Sequence, residues 1–195
     1  MAYVLVLNVG SSSLKAALFA EQQRIWQGTT VLKGGSPVEA AASCRAELEH
    51  WLTPQLQPWW GELAAAGHRL VHGGEHFIAP ARIDATALNQ LEVLSELAPL
   101  HTPQALAVIR WIAEQQPELP QWACFDTAFH ASLEPAAYCY GLPERWRQQG
   151  YRRFGFHGLN HQHVAETAAR HWQETGHQGQ PRLISAHLGA GCSLA

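Results

Sequence analysis

The chain has 195 residues, 47% of them hydrophobic and 15% charged, which supplies a real core for one ordinary domain, or one domain and the opening of another, and excludes a disordered chain. Its 13 Lys and Arg against 16 Asp and Glu leave a formal charge of −3, too little positive charge to hold a nucleic acid as partner. The opening apolar run, Met1 to Leu7, has no basic segment before it and is too short for a membrane span, so the expectation is a cytoplasmic protein without a membrane partner.

Tyr3 to Leu7 predicts a strand, Asn8-Val9-Gly10-Ser11-Ser12-Ser13 a tight polar loop, and Leu14 to Phe19 a second strand. Arg24 to Val31 predicts a third strand, closing a meander before the break at Gly34-Gly35-Ser36-Pro37. From Val38 to Trp51 the apolar residues recur at helical spacing, with Ser36 and Pro37 where a helix starts. His68 to His72 predicts a short strand ending in Gly73-Gly74. Helices are expected over Ala85 to Glu96 and Pro103 to Gln115, separated by Ala98-Pro99-Leu100-His101. Trp122 to Phe125 predicts a buried strand with Asp126 at its carboxyl end, Asn160 to Trp172 a helix, and Leu183 to Ala186 the start of one more strand. This order predicts an α/β fold with a mixed sheet covered on both faces.

Val6 to Leu14 and Ser185 to Ser193 share one plan: apolar strand, polar residue, apolar residue, Gly, then small residues. Read as an internal repeat, it divides the chain into residues 1–181 and the opening of a second, related domain over 182–195, ending in that domain's first hairpin. A lone hairpin has little stability of its own. Cys44, Cys124, Cys139 and Cys192 have no paired short spacing, which predicts free thiols serving as small apolar residues.

The loop from Asn8 to Ser13 is rich in backbone donors and hydroxyls, with Lys15 just beyond; it suits a phosphate, and it equally suits a plain hairpin turn. Arg69 interrupts an otherwise apolar strand, where a guanidinium either grips a carboxylate or phosphate or pairs with an internal carboxylate. Asp126 stands where α/β proteins put functional carboxylates, a position that also suits a helix cap. Of the 12 histidines, His72, His157 and His187 lie beside or near glycine, which suits close approach of a phosphoryl oxygen. His157, His161 and His163 are also close enough in sequence to raise a zinc site, although no cysteine or glutamate completes a known ligand spacing.

Six segments taken together resemble the acetate kinase family, in the family's order and along nearly the whole chain: Asn8 to Lys15, His68 to Gly74, Ala98 to Pro103, Phe125 to His130, Tyr151 to Gly158, and His187 to Gly191. The resemblance implies a ribonuclease H-like, actin-type ATPase domain, with a mixed five-stranded sheet, helices on both faces, and the first hairpin of a second related domain. It implies transfer of the terminal phosphoryl group of ATP to acetate or another short carboxylate, giving an acyl phosphate and ADP, with magnesium. Residue by residue, it implies a magnesium-site role for Asn8 and nucleotide or phosphate contacts for Gly10, Ser11, Ser13 and Lys15. Arg69 would bind the carboxylate, with Val71, Leu100 and Phe156 around its methyl group. Asp126, His157, His101 and His187 would be catalytic, and His187, Leu188, Gly189, Ala190 and Gly191 would form a second phosphate loop.

The family usually has asparagine where this chain has Ala190, and a Thr-Ser pair where it has Leu159-Asn160. Family members are about twice as long and homodimeric; their second half would hold a further arginine, a magnesium-binding glutamate and the adenosine pocket. The expectation is that these 195 residues alone have negligible kinase activity. Two other readings stay open on the residues: a non-catalytic carboxylate- and phosphate-binding module, and a zinc hydrolase built on His157, His161 and His163.

Overall fold

Burial alternates along β1 (Tyr3–Val9): Leu5, Leu7 and Val9 are buried, while Val6 and Asn8 point to the other face. The computed structural model describes residues 2–10, 12–33, 37–189 and 191–195. β2 (Ser13–Ala20) runs antiparallel to β1 with Asn8 opposite Lys15, and β3 (Gln23–Val31) completes the expected meander. β1 runs to Val9, so Asn8 is a strand residue rather than part of the loop expected from Asn8 to Ser13, and Ser13 already belongs to β2. Ser11, Ala190 and the break at Gly34, Gly35 and Ser36 lie outside the described residues.

α1 (Pro37–Glu47) continues through a π-turn (Leu48–Leu52) into α2 (Thr53–Leu56). Pro54 explains the widened turn: it has no N–H to give and its ring crowds the preceding carbonyls, and the Thr53 N–H reaches back to the Leu48 carbonyl. Leu48, Leu52 and Leu56 keep four-residue spacing and are all buried.

β4 (Leu63–Leu70) lies parallel to β1, with Asn8 opposite Arg69. It starts earlier than the expected strand and stops at Leu70, leaving Val71 and His72 beyond it. β5 (Ala81–Arg82) was not expected; two residues are too few to display alternation. α3 (Ala85–Val93) is capped by Asp84, whose Oδ1 accepts from the Ala87 N–H at 2.8 Å. α4 (Thr102–Gln115) is followed by β6 (Gln121–Phe125), parallel to β4 with Arg69 opposite Cys124. The short helices α5 (Pro135–Tyr138) and α6 (Glu144–Arg147) lead to α7 (Gly158–Glu174).

The sheet order is β3-β2-β1-β4-β6-β5, a mixed six-stranded sheet against the five expected. One face, carrying Leu5, Leu7, Leu14, Ala16 and Leu18, packs on Leu48, Leu52 and Leu56 and on Val108, Trp111 and Ile112 of α4. A second cluster unites Leu70, Ala123 and Phe125 with Leu91 of α3 and Leu106 and Ile109 of α4. On the opposite face Val6 and Trp122 are exposed, and α7 meets the sheet at β6. The final hairpin, β7 (Ala186–Leu188) and β8 (Cys192–Leu194), is closed by reciprocal backbone hydrogen bonds between Ser185 and Ala195 at 2.8 and 3.0 Å. Its first strand begins at Ala186, after the exposed Leu183 and Ile184, and α7 side chains hold it.

His68 points into the helix-covered face, where a neutral ring is affordable: its Nε2–H donates to Gln121 Oε1 at 2.8 Å, and Gln121 Nε2 donates to the Ile109 carbonyl at 3.2 Å. Burial pushes its pKa from 6.5 down to about 4, the hydrogen bond to Gln121 only partly opposing this. Below pH 6.5 the unfolded chain takes up a proton that the folded chain refuses until about pH 4. Stability is therefore full above the unfolded pKa and falls by about 3 kcal/mol as pH drops to the folded value. Urea unfolding at pH 7.5 and pH 4.5 checks this, with His68→Gln losing distinctly less than the wild type.

Candidate active site

Arg69 is the hub. Its register opposite Asn8 in β1 and its position beside the end of β6 bring three side chains together from distant parts of the sequence. Arg69 Nε donates to Asp126 Oδ1 at 3.0 Å and Oδ2 at 3.2 Å, Nη2 donates to Oδ2 at 2.5 Å, and Nη1 donates to Asn8 Oδ1 at 3.0 Å. Asp126 is tied down at its backbone as well, its N–H donating to the Leu70 carbonyl at 2.9 Å. Its carboxylate does not cap the following turn; Asp126 is 1% exposed and serves Arg69.

A guanidinium has five N–H groups. Among the described residues, three of them, on Nε, Nη1 and Nη2, are engaged by Asp126 and Asn8. One N–H on each terminal nitrogen remains to donate to a second carboxylate or a phosphate. With its side chain 26% exposed, Arg69 reaches the wall of a cleft of about 940 Å³. Arg69 thus makes the internal ion pair that sequence left open, with its side chain still partly exposed at the cleft wall.

Val71, His101, Asp126, Phe156, His157 and Gly191 line the same cleft. Leu100 does not: it is 59% exposed in the loop before α4, where its neighbour His101 turns inward. Burial, then the charge of Arg69, lowers the His101 pKa, with Asp126 opposing. His157 occupies the left-handed region at φ 56°, ψ 23° and ends the loop into α7. Its pKa is lowered by burial first and then by the neighbouring His187, Asp126 again opposing. Both imidazoles are therefore neutral near pH 7, as donors or acceptors rather than cations.

Gly158 has a role other than admitting a ligand. A Cβ there would lie 2.0 Å from the Asp126 carbonyl oxygen, which instead accepts from the Gly158 N–H at 2.9 Å. Glycine thus lets α7 abut the residue that grips Arg69. At Gly155 a Cβ would meet the His130 ring at 2.1 Å; that ring donates from Nε2 to the Phe156 carbonyl at 3.1 Å and so fixes the aromatic wall. Sequence reading missed His130, Ser185 and Ser193. Ser193 Oγ lies 2.8 Å from both His157 Nδ1 and His161 Nε2, and the His187 ring stacks on His157 at 3.9 Å.

The other candidates are apart from the cleft. Lys15 lines a separate depression with Asn8, and the Gly10 N–H is spent on the Ser13 carbonyl at 2.8 Å, as in a plain hairpin turn. Leu188 is 77% exposed and Gly189 is also exposed; of that loop, Gly191 lines the cleft. Asn8 Oδ1 and both Asp126 oxygens accept from Arg69, and no group of three or more His, Cys, Asp or Glu among the described residues is arranged to hold a metal. The zinc cluster fails for a helical reason: His163 follows buried His161 by two positions, about 200° round α7, and is exposed.

The Acetokinase family model matches residues 29–195, a span that contains Arg69, Asp126 and His157. An acetate kinase from Synechococcus sp. is 39% identical over 98% of this chain and 54% of its own length; one from Ectopseudomonas mendocina is 40% identical over 97% and 52%. Among solved structures, a propionate kinase from Francisella tularensis matches with a TM-score of 0.77 and 32% identity over 100% of this chain and 54% of its own. The acetate kinase of Porphyromonas gingivalis matches at 0.74 and 31%, over 100% and 54%. The chain spans about half the length of the curated relatives it matches. With sequence and backbone agreeing from end to end of those alignments, the chain belongs to the acetokinase family.

Proposed function

We propose that this chain forms the carboxylate-binding side of an acetate kinase-type phosphotransferase, which moves the terminal phosphoryl group of ATP to acetate or another short carboxylate. The observation that carries the reading is that Arg69, with terminal N–H groups beyond those bonded to Asp126 and Asn8, lines a cleft together with the apolar Val71 and Phe156. A carboxylate held there lies beside neutral His101 and His157. Its oxygen attacks the terminal phosphorus, and the new O–P bond forms as the bond to the ADP oxygen breaks. A carboxylate is ionised at neutral pH, so no general base is required. Arg69 orients the nucleophile, Asp126 orients Arg69, and His157 donates to an oxygen of the group in flight.

Magnesium enters with the nucleotide, and no step assigned to these residues runs through it. Residues 1–181 form one domain in this reading and 182–195 open a nucleotide-binding domain, within a cytoplasmic homodimer. Acetate, propionate and butyrate differ by methylene groups worth only about 1–3 kcal/mol each, so the substrate is assigned as a class.

Acyl phosphate formation tests the proposal. The 195-residue polypeptide alone is expected to give a negligible rate with ATP and acetate, because it spans about half the length of the acetate kinases it matches. Supplying the second half of a family member in trans is expected to raise the rate. Robust turnover by the polypeptide alone would refute the expected inactivity, and carboxylate binding with no transfer under any complementation would refute the proposal in favour of a binding module.

A further inference from the structure

Ser185, His161, Ser193 and His157 form an unbroken row of hydrogen bonds. Ser185 Oγ meets His161 Nδ1; His161 Nε2 lies 2.8 Å from Ser193 Oγ, which lies 2.8 Å from His157 Nδ1. A neutral imidazole has one N–H and one lone pair on its ring nitrogens, and each hydroxyl supplies one proton. Each gap must hold one donor facing one acceptor, and among the described residues Ser193 Oγ meets only the two rings; with its proton kept in the row, two proton arrangements remain. In the first, Ser185 donates to His161, His161 Nε2–H to Ser193, and Ser193 to His157 Nδ1, which leaves the N–H of His157 on Nε2. In the second every bond is reversed, and His157 Nε2 carries a bare lone pair.

The far end of the row decides between them. Ser185 is 9% exposed, and among the described residues its hydroxyl meets His161. The first arrangement uses the Ser185 proton in that bond. The second makes Ser185 an acceptor and strands its proton in a buried place, which costs the full desolvation of that group. His161, 1% exposed, has its pKa lowered by burial and then by His130 and His187, Asp126 opposing, so the rings stay neutral as the row requires. With Nδ1 of His157 taken by Ser193, its Cε1–Nε2 edge is the free one; a Cβ built on Gly191, which lines the cleft, would lie 3.8 Å from Cε1 and 4.0 Å from Nε2.

We propose that Ser193 is a positioning residue which, with His161 and Ser185 behind it, locks His157 as the Nε2–H tautomer and so aims a hydrogen-bond donor at a phosphoryl oxygen in the cleft. The phosphoryl clause rests on the function proposed above; the tautomer assignment does not. A water-exposed imidazole exchanges between its tautomers, so locking is measurable.

The experiment is long-range ¹H–¹⁵N correlation on the histidine-labelled 195-residue chain at pH 7.5. His157 and His161 are both expected to show a lone-pair Nδ1 and a protonated Nε2. In Ser193→Ala the two ring-nitrogen shifts of His157 are expected to move toward each other, and Ser193→Thr is expected to restore them. A protonated Nδ1 on His157 in the wild type overturns the proposal without any variant. So does a Ser193→Ala chain that keeps the wild-type hairpin amide shifts and an unchanged His157 pattern. Inorganic phosphate added to the wild type is expected to shift His157 Nε2. If the tautomer is as assigned and phosphate leaves Nε2 unmoved, the phosphotransfer reading fails and the lock stands.

Discussion

Asp126→Ala is expected to destabilise the chain by about 3 kcal/mol and to abolish carboxylate binding. Asp126 is almost wholly buried and satisfies the Nε–Nη2 edge of the Arg69 guanidinium; without it a partly buried cation is left, among the described residues, with Asn8. Asp126→Asn is expected to do nearly as badly, since its amide N–H₂ would face N–H donors. The loss comes from an uncompensated charge, so the double variant Arg69→Met, Asp126→Leu is expected to be more stable than Asp126→Ala alone. Urea unfolding of the three variants checks the cycle. In a complemented, active assembly, loss of the Arg69 clamp is expected to lower the rate by about 10³-fold or more.

The second large effect is expected at Gly158→Ala. The added methyl group would sit 2.0 Å from the Asp126 carbonyl oxygen and 2.8 Å from Phe129 Cβ, and a clash with backbone cannot be relieved by a rotamer change. α7 must withdraw, breaking the Gly158 to Asp126 hydrogen bond and moving His157, already held at φ 56°. The cost is expected near 3 kcal/mol, with carboxylate binding weakened although no ligand-facing side chain has changed. Gly141→Ala, with nothing within 4 Å of the new Cβ, is the matched control and is expected to be nearly neutral.

Much of this arrangement was legible in the residues because strands repeat every two positions. Alternation in β1 and β2 marks the buried face, and an arginine in the apolar β4 could be singled out because it breaks that pattern. The early part of β4, Leu63-Ala64-Ala65-Ala66-Gly67, was hidden by its lack of β-branched residues. The extent of the terminal hairpin was hidden by its brevity. Motif membership carried Leu100 toward the cleft along with His101, but neighbours in a loop need not point the same way. The glycine beside His157 was read as room for a phosphoryl oxygen, since sequence does not reveal that the Asp126 carbonyl, 32 positions before Gly158, fills the space. Ser193 was unreadable for the same reason: its link to His157 spans 36 positions and exists only once the hairpin docks on α7.

Arg69 holds Asp126 with its Nε–Nη2 edge and, in the proposed function, offers its remaining terminal N–H groups to a carboxylate. Arginine-labelled NMR of the chain titrated with acetate tests it most directly. Acetate is expected to shift the Nη1 and Nη2 protons of Arg69 while the Nε–H bonded to Asp126 stays put. Saturating acetate that leaves the Nη signals unmoved, or that displaces Asp126 from Nε, would contradict it.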